Sequence, residues 1–468
     1  MKKLKNFFKD DLIHLIGIGG IGMSAIALLL KKLNFNIQGS NITKNSMVDQ
    51  LIKNGIKISV PHRTSNLENV KYCIFSSAIK ESNIELQYLK KKDDVLLMSR
   101  FSFLELISKD YFVISVSGMR GKTTITSMIS EMFDFYQVSY TCLNGGIIQK
   151  YKSNFIYYKN ASKLLLEIDE SDGHFKKISS NIVIINNIEE EHLDNYKNII
   201  NIKDAFTKFV NSIKPSGYLI FCLDCKHSKS ITKNTKKIIS YGIYDINCNI
   251  RAININYFLN KTKYDIQINI NNKKKTINNI IIPTIGEYNI YNSLACISTC
   301  IVMNLDEKEI KNALKNFVLP LRRFTVRGNY LGAKVIDDYA HHPTKIKAII
   351  KATRFILNKN NKLITICEPH KYSRIKNFLE QFVNSLLLSD FIIITQVCEA
   401  GEKYDQKYNS STLVKNILIK HKSTPCKEIY TLTKLRQYLR KFVKPGDIIL
   451  FCGAGSNITN WAQSICIK

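Results

Sequence analysis

Two glycine-bearing loops, each between an apolar run and an amphipathic stretch, hold the residues best suited to chemistry. The first reads IHLIGIGGIGMS over residues 13–24. Gly17, Gly19 and Gly22 fit G-x-G-x-x-G, with Gly20 inside the loop and Met23 opening an expected helix, Met23–Leu33. Glycines at this spacing permit a tight turn, let a pyrophosphate approach the backbone and aim helix N–H groups at it. A nicotinamide dinucleotide site would want an acidic residue about 20 residues further on to take the ribose hydroxyls. No Asp or Glu occurs between Asp11 and Asp49, and the second strand ends Gln38-Gly39-Ser40-Asn41. The loop therefore reads as a general diphosphate site rather than that of a dehydrogenase.

The second loop follows the run YFVISV and reads Ser117-Gly118-Met119-Arg120-Gly121-Lys122-Thr123-Thr124. A full phosphate-loop motif carries Gly six residues before the Lys, where this chain has Val116, so the loop is a shortened one. Its chemistry holds: backbone N–H groups and the helix N-terminus bind phosphate, Lys122 neutralises the terminal phosphates, and the Thr123 hydroxyl is placed to ligate Mg²⁺. A nucleotide triphosphate is the expected occupant. Two such loops about a hundred residues apart imply two different phosphorylated ligands.

Two acidic clusters follow. Glu167-Ile168-Asp169-Glu170-Ser171-Asp172 and Asn187-Ile188-Glu189-Glu190-Glu191-His192-Leu193-Asp194 each end an apolar run. Alone, an acidic run is a solvated face and a lone His is structural. At the carboxyl ends of neighbouring strands beside a phosphate loop, they form a Mg²⁺ site, because that ion takes a few carboxylates together with substrate phosphates.

The elements needed to position these groups are those of parallel α/β units, since short apolar runs alternate with amphipathic stretches almost throughout. Strands are expected at Leu12–Ile16, Tyr72–Ser76, Tyr111–Val116, Lys163–Ile168, Ile182–Ile185, Leu363–Cys367, Phe391–Thr395 and Asp447–Phe451. Open α/β sheets bind ligands at the carboxyl ends of such strands. Residues 226–279, rich in Asn, Lys and Ile, read as short strands and loops. Breaks near Ser108–Asp110 and Pro320 divide the 468 residues into three domains: 1–109, 110–321 and 322–468.

Composition narrows the function classes. Lys and Arg total 68 against 38 Asp and Glu, a formal charge of +30. The Lys is spread along the chain with Asn and Ile, as in NNKKKTINNIII, so the bias looks global and no nucleic-acid partner is expected. Neither Cys222-x-x-Cys225 nor the Cys296/Cys300 pair has a matching set of zinc ligands, and reduced structural thiols are expected. No apolar run is long enough to span a bilayer, and Lys9, Asp10 and Asp11 interrupt any signal-peptide core. The expectation is a cytoplasmic protein without membrane insertion.

Taken in order along essentially the whole chain, these residues resemble the Mur ligases. GIGGIGM with Ser40 and the stretch Ser76-Ser77-Ala78-Ile79 resembles the family's uridine-diphosphate elements. Gly121-Lys122-Thr123-Thr124, Glu167 with Asp169-Glu170-Ser171-Asp172, and Asn187-Ile188-Glu189 with His192 and Asp194 resemble its ATP and Mg²⁺ elements. Asn289 and Asn292 fall where the family holds adenine, and Arg322-Arg323-Phe324 resembles its hinge. Asp337-Asp338-Tyr339-Ala340-His341-His342-Pro343-Thr344 and Pro369-His370-Lys371-Tyr372-Ser373-Arg374 resemble its amino-acid and phosphate contacts, while Ala400-Gly401-Glu402 and Gly453-Ala454-Gly455-Ser456 resemble its remaining C-terminal loops.

The resemblance implies a Rossmann-like uridine-nucleotide domain, a central phosphate-loop ATPase-like domain and a C-terminal Rossmann-like domain. It also implies an ATP-dependent amide ligation of the carboxylate of UDP-N-acetylmuramate to L-alanine through an acyl phosphate, by a monomer or weak homodimer. In the roles it implies, Lys122, Glu167, His192, His342, Arg374 and Arg323 act at the reacting groups. ATP takes Gly118 to Thr124, Asn289, Asn292, Arg323 and Asp338. The uridine nucleotide takes Gly17, Gly19, Gly20, Gly22, Met23, Ser40, Ser76, Ser77, Ala78 and His192. The amino acid takes His342, His370, Lys371 and Arg374, and Mg²⁺ takes Thr123, Glu167 and His192. Departures from the family pattern are Met119 and Arg120 for Thr and His, Tyr288 for His, Asn41 for Asp, Lys371 for Arg, and Pro320-Leu321 for hinge glycines. The alternatives are a sister ligase that adds a recycled tripeptide and a drifted nucleotide-binding protein without turnover.

Overall fold

The computed structural model describes residues 2–9, 11–171, 173–191, 193–232, 237–258, 261–320 and 322–466. Its backbone is organised by three sheets.

The first sheet contains β1 (Leu12–Ile16), β2 (Ile37–Ser40), β3 (Lys57–Ser59), β4 (Val70–Phe75) and β5 (Leu96–Ser99), all parallel, in the order β3-β2-β1-β4-β5. The chain leaves β1 towards one side and returns on the other, so a crevice opens beyond the carboxyl end of β1, the place where such sheets bind nucleotides. Register fixes what lines it. Ile16 pairs with both Ser40 and Phe75, which brings the first glycine loop, Ser40 and Ser76 to one rim. The following helix, Ile21–Lys32, begins two residues earlier than expected.

The second sheet contains β6 (Phe112–Ser117), β7 (Tyr140–Ile148), β8 (Ser153–Tyr157), β9 (Lys163–Glu167), β10 (Ile182–Ile185), β11 (Tyr218–Cys222), β12 (Ile238–Gly242), β13 (Ile250–Tyr257), β14 (Thr262–Ile270) and β15 (Lys273–Ile282). Their order is β15-β14-β13-β12-β11-β10-β6-β9-β7-β8. The phosphate-loop strand β6 lies between β9 and β10, both parallel to it. Val116 pairs with Glu167 and Ser117 with Ile185, so both acidic clusters leave the sheet beside the phosphate loop.

Residues 226–279 depart from the expectation of short strands and loops, because β13 to β15 are 8, 9 and 10 residues long. Along β14, Thr262, Tyr264, Ile266 and Ile268 are buried while the residues between them are not. The period-2 alternation of a half-buried strand is there. Abundant Asn and Lys on the outer face mask it.

The third sheet contains β16 (Thr325–Tyr330), β17 (Ala333–Asp338), β18 (Leu363–Cys367), β19 (Phe391–Ile394), β20 (Cys426–Glu428) and β21 (Ile448–Cys452). Its order is β16-β17-β21-β18-β19-β20, parallel except for the β16–β17 hairpin. Cys452 pairs with Asp338 and with Cys367, so three strand ends lie level.

The chain divides into two compact units. One comprises Met1–Asn254, Tyr264–Ile281 and Tyr291–Val318; the other comprises Ile255–Lys263, Ile282–Ile290 and Leu319–Lys468. In the first unit the two sheets share one apolar core, which runs from Phe8, Leu15 and Phe103 through Met119, Leu143 and Phe155 to Phe175 and Phe206. Asn154, fully buried on β8, ties them further by donating to the carbonyl of Ile21 at 2.5 Å and to Ser24 Oγ at 3.1 Å. Both glycine loops therefore sit on one continuous body. Among the described residues no helix is long and apolar enough to cross a membrane.

Candidate active site

At the phosphate loop, β6 delivers Ser117 into a turn whose glycines are required by geometry. Gly118 has φ +129° and Gly121 has φ +86°, the left-handed region that a side chain penalises. A Cβ on Gly118 would come within 3.0 Å of the Asn187 carbonyl oxygen. The helix Lys122–Phe135 then starts, and its first ladder bond runs from the Ile125 N–H to the Gly121 carbonyl at 2.8 Å. The amides of Lys122, Thr123 and Thr124 precede that ladder, as an anion-binding helix start requires.

The side chains of this helix start face the first acidic cluster. Lys122 Nζ donates to both carboxylate oxygens of Glu170, at 2.8 and 2.7 Å, and the Glu170 side chain is fully buried. Burial alone would lower the Lys122 pKa, but the charges of Glu170, Asp169 and Glu167 outweigh it and raise the value above that of a free lysine. Thr123 Oγ1 donates to Glu167 Oε1 at 2.9 Å, and the Gly145 N–H donates to Glu167 Oε2 at 2.6 Å. A hydroxyl oxygen and a carboxylate at this separation are hard donors on one spot, the chemistry that suits Mg²⁺. Asp172 and His192 lie outside the described residues, and among the described ones no group of three or more His, Cys, Asp or Glu forms a metal cluster.

The second acidic cluster shapes the loop through Asn187 and through Glu189, which pairs with Arg120. Asn187 binds three backbone groups: its carbonyl accepts the Met119 N–H at 3.2 Å, its Oδ1 accepts the Arg120 N–H at 2.8 Å, and its Nδ2 donates to the Arg120 carbonyl at 3.0 Å. Asn186 Nδ2 donates to the same carbonyl at 3.0 Å and to Asn292 Oδ1 at 3.2 Å, while the buried Tyr241 hydroxyl donates to Asn186 Oδ1 at 2.7 Å. Sequence reasoning missed Asn186, Tyr241 and Gly145. Their partners are distant in sequence, and no local pattern signals them.

The first glycine loop is built in the same manner. Gly17 (φ +78°) and Ile18 donate their N–H groups to the Ser40 carbonyl at 2.9 and 3.0 Å, and the Gly19 N–H goes to Asn41 Oδ1 at 3.2 Å. The helix ladder starts with Ser24 N–H to the Gly20 carbonyl at 2.9 Å, so the amides of Ile21, Gly22 and Met23 precede it. Met23 is buried, its side chain in the core. Ser76 turns back over Gly17, with the Ile79 N–H donating to its carbonyl at 3.0 Å, and Ser77 and Ala78 are exposed beside it.

Ser40 Oγ lies in a buried cluster: it donates to Glu85 and sits 3.3 Å from His14 Nε2 and 2.8 Å from His62 Nδ1. Burial would raise the Glu85 pKa, but hydrogen bonds from His14 and Ser40, the His14 charge and the Arg63 N–H bring it down to about 2.

In the second unit, the expected amino-acid residues gather above β17, β18 and β21. Asp338 accepts the N–H of Phe324 and of Ala340, each at 2.8 Å. Burial nevertheless raises its pKa, with the Arg323 charge opposing. Arg323 lies over the Tyr339 ring, 5.3 Å from its centroid. Arg322 donates to the carbonyls of Gly453, Ala454 and Gly455 at 2.6, 3.1 and 3.1 Å, fastening the C-terminal glycine loop. His342 caps the helix Pro343–Ile356, its Nδ1 2.9 Å from Thr344 Oγ1. Arg374 contacts His370 Nδ1 at 2.9 Å and donates to the His370 carbonyl at 3.0 Å. Burial, with the charges of Arg374 and Lys371, lowers the His370 pKa to about 4. Lys371 adopts φ +68° immediately before the helix Tyr372–Leu386. Asn289 donates to the Ile285 carbonyl at 2.8 Å.

Known proteins share this arrangement. Residues 12–111 match the description "Mur ligase family, catalytic domain", residues 116–300 "Mur ligase middle domain" and residues 322–455 "Mur ligase, glutamate ligase domain". The UDP-N-acetylmuramate–L-alanine ligase of Rickettsia bellii is 36% identical over 461 residues, which cover 97% of this chain and 96% of that one. The chain belongs to the Mur ligase family. The corresponding ligase of Rickettsia felis is 37% identical with the same coverage of both chains. Among solved structures, the UDP-N-acetylmuramate–alanine ligase of Thermotoga maritima superposes with a TM-score of 0.81 at 25% identity, over 97% of this chain and 98% of that one. A murein peptide ligase from Psychrobacter arcticus shares the fold at a TM-score of 0.71 and 20% identity, over 98% and 99% of the two chains.

The departures from the family pattern have structural consequences. Met119 points into the shared core, 2% exposed, where a Thr hydroxyl would need a partner. Arg120 pairs with Glu189, which holds a guanidinium at the loop where the family has an imidazole. Tyr288 packs against the core of the second unit, and burial raises its phenol pKa. Asn41 keeps the amide contact to Gly19 without bringing a charge.

Proposed function

We propose that this Mur ligase uses ATP to join the carboxylate of UDP-N-acetylmuramate to the amine of L-alanine, the first amino-acid addition in peptidoglycan precursor assembly. The observation that carries the reading is the pairing of two anion-binding helix starts on one body. One has a buried lysine–carboxylate pair beside it, and among the described residues the other has none. That asymmetry supports assigning a triphosphate to be cleaved to the first of these and a diphosphate to be held to the second. The names of the relatives support the substrates.

The chemistry follows from what the groups can do. A carboxylate oxygen of the sugar acid forms a bond to the γ-phosphorus, and the bond from that phosphorus to ADP breaks. The alanine amine then bonds to the acyl carbon, phosphate leaves with the C–O electron pair, and the amine loses a proton. Lys122 exchanges Glu170 for the γ-phosphate and offsets its charge. Thr123, Glu167 and His192 are the residues we assign to Mg²⁺, which when bound supplies further charge neutralisation. Gly118 to Thr124 cradle the phosphates, and Asn289, Asn292, Arg323 and Asp338 take the rest of ATP. His342, His370, Lys371 and Arg374 orient the amino acid. His370, held neutral, accepts from Arg374 and adds no competing charge. We assign uridine-nucleotide binding to residues 1–109, ATP binding to 110–321 and amino-acid binding to 322–468, and the reaction to the cytoplasm.

Phosphate release by the purified chain should require ATP, UDP-N-acetylmuramate and L-alanine together. Release with the nucleotide and a tripeptide but not with alanine would assign the sister reaction instead. Absence of release with any acceptor would leave a nucleotide-binding protein without turnover.

A further inference from the structure

One hairpin of the second sheet touches the helix starts of both glycine loops. It is formed by β7 and β8 at the end of the sheet, and the first-loop helix, Ile21–Lys32, lies against both strands. The two strands fall out of step at one place. Leu143 pairs with Phe155 and Ile148 with Ser153, so four residues, Asn144 to Ile147, face Asn154 alone. A bulge of this kind bends its strand and re-aims what the strand carries.

On the β7 side the bulge meets the phosphate loop. The Gly145 N–H donates to Glu167 Oε2 at 2.6 Å, and a Cβ on Gly146 would lie 2.7 Å from Thr123 Cγ2. Asn144 Nδ2 braces the bulge, donating to the Gly146 carbonyl at 2.9 Å and to Ser127 Oγ, one turn along the phosphate-loop helix, at 3.3 Å. On the β8 side, Asn154 Nδ2 donates to the Ile21 carbonyl and to Ser24 Oγ in the first turn of the other helix. It holds that turn by its carbonyl side and leaves the N–H groups of the turn for phosphate. The Ile21 carbonyl also accepts from Ser24 Oγ at 2.9 Å, so it keeps a side-chain partner when Asn154 is changed.

We propose that Asn154 is a positioning residue and the β7–β8 hairpin a spacer, which fixes the diphosphate-binding helix start relative to Thr123 and Glu167 and so aligns the acid of one nucleotide with the γ-phosphate of the other. The inference rests on the ligase function proposed above and adds the part of the fold that sets the alignment. Each loop carries its own amides, so neither nucleotide needs the spacer in order to bind. Reaction needs both nucleotides at one separation, and a misplacement of about 1 Å between reacting groups can cost roughly 100-fold in rate.

The test compares wild type with Asn154→Leu, close to Asn in size but without a donor. Calorimetry gives the affinity for UDP-N-acetylmuramate and, separately, for a non-hydrolysable ATP analogue with Mg²⁺; phosphate release gives kcat. We expect kcat to fall about 10- to 100-fold. Each affinity should change by less than about 3-fold, as for an interaction that acts only when the reactants align. Ser24→Ala removes one partner of Asn154, keeps the bond to Ile21 and should hold kcat within about 3-fold of wild type. Asn154→Ser, polar but too short to reach Ile21, should lose kcat as the Leu variant does, and it replaces that variant if Leu prevents folding. An unchanged kcat, or a loss of uridine-nucleotide affinity as large as the loss of kcat, overturns the proposal while the ligase reading stands. Wild type that releases no phosphate with all three substrates overturns the ligase reading and the proposal with it.

Discussion

The Lys122–Glu170 pair offers the sharpest test of how this site is held before nucleotide arrives. Glu170 is fully buried, and Lys122 is 15% exposed. Replacing Lys122 by Met strands a desolvated carboxylate, and breaking a buried pair from one side costs about 3–5 kcal/mol. Glu170→Gln should cost less, because the amide keeps an acceptor for the ammonium and the lysine reaches more solvent. The double variant removes both charges and should be more stable than the sum of the single changes implies, by about 2 kcal/mol. Chemical denaturation without nucleotide reads these differences. Catalysis separates from stability: Lys122→Met should lower single-turnover phosphate release by about 10²–10³, as when an electrostatic donor to the reacting group is lost. Glu170→Gln should retain most of it, since Lys122 has left Glu170 when the γ-phosphate is bound. Additive stabilities would refute the pair, and normal turnover by Lys122→Met would refute the assignment of the loop.

Further outcomes follow from single residues. Gly19→Ala puts a Cβ 2.7 Å from Val48 Cγ2 and 2.8 Å from Asn41 Nδ2, so it should weaken uridine-nucleotide binding at least about 10-fold and leave ATP binding intact, read by calorimetry with each ligand. Glu85 is held at about 2 in the fold, below the ordinary carboxylate value, so its stabilisation is present above pH 4.5 and lost as pH falls towards 2. Glu85→Gln should remove that dependence and destabilise the first unit by about 3 kcal/mol; an unchanged acid limb in urea melts would count against the cluster. His370 lies at about 4, so the unfolded chain takes up its proton first and stability declines as pH drops from 6.5 to 4. Its ring should remain neutral by NMR at pH 6, and titration near 6.5 would contradict the packing around it. Asn187→Ala releases the backbone of Arg120 and should raise the KM for ATP about 10-fold or more, with uridine-nucleotide binding unchanged.

The chemistry-bearing loops were legible because their signals are local. Glycines at Gly17, Gly118 and Gly121 are demanded by positive φ, and a lysine followed by two threonines at a helix start has few other uses. The eight expected strands all recur, most within a residue or two of their expected ends, since short apolar runs between polar clusters set where a parallel sheet forms. What composition concealed was the length of β14, whose buried face is regular while its outer face is polar, and of β15, where only Ile280 and Ile282 are buried and Lys273–Asn279 carry the chain-wide Lys and Asn bias.

Tertiary structure decided the partners. Nothing local to Lys122 says that its buried counter-charge is Glu170 rather than Asp169, or that Asn187 holds the backbone of the phosphate loop at Arg120. Those choices depend on which strands flank β6 and in what register, and register is fixed by packing over the whole sheet. Chain order thus determined which groups can bind phosphate, and the fold determined what each of them faces.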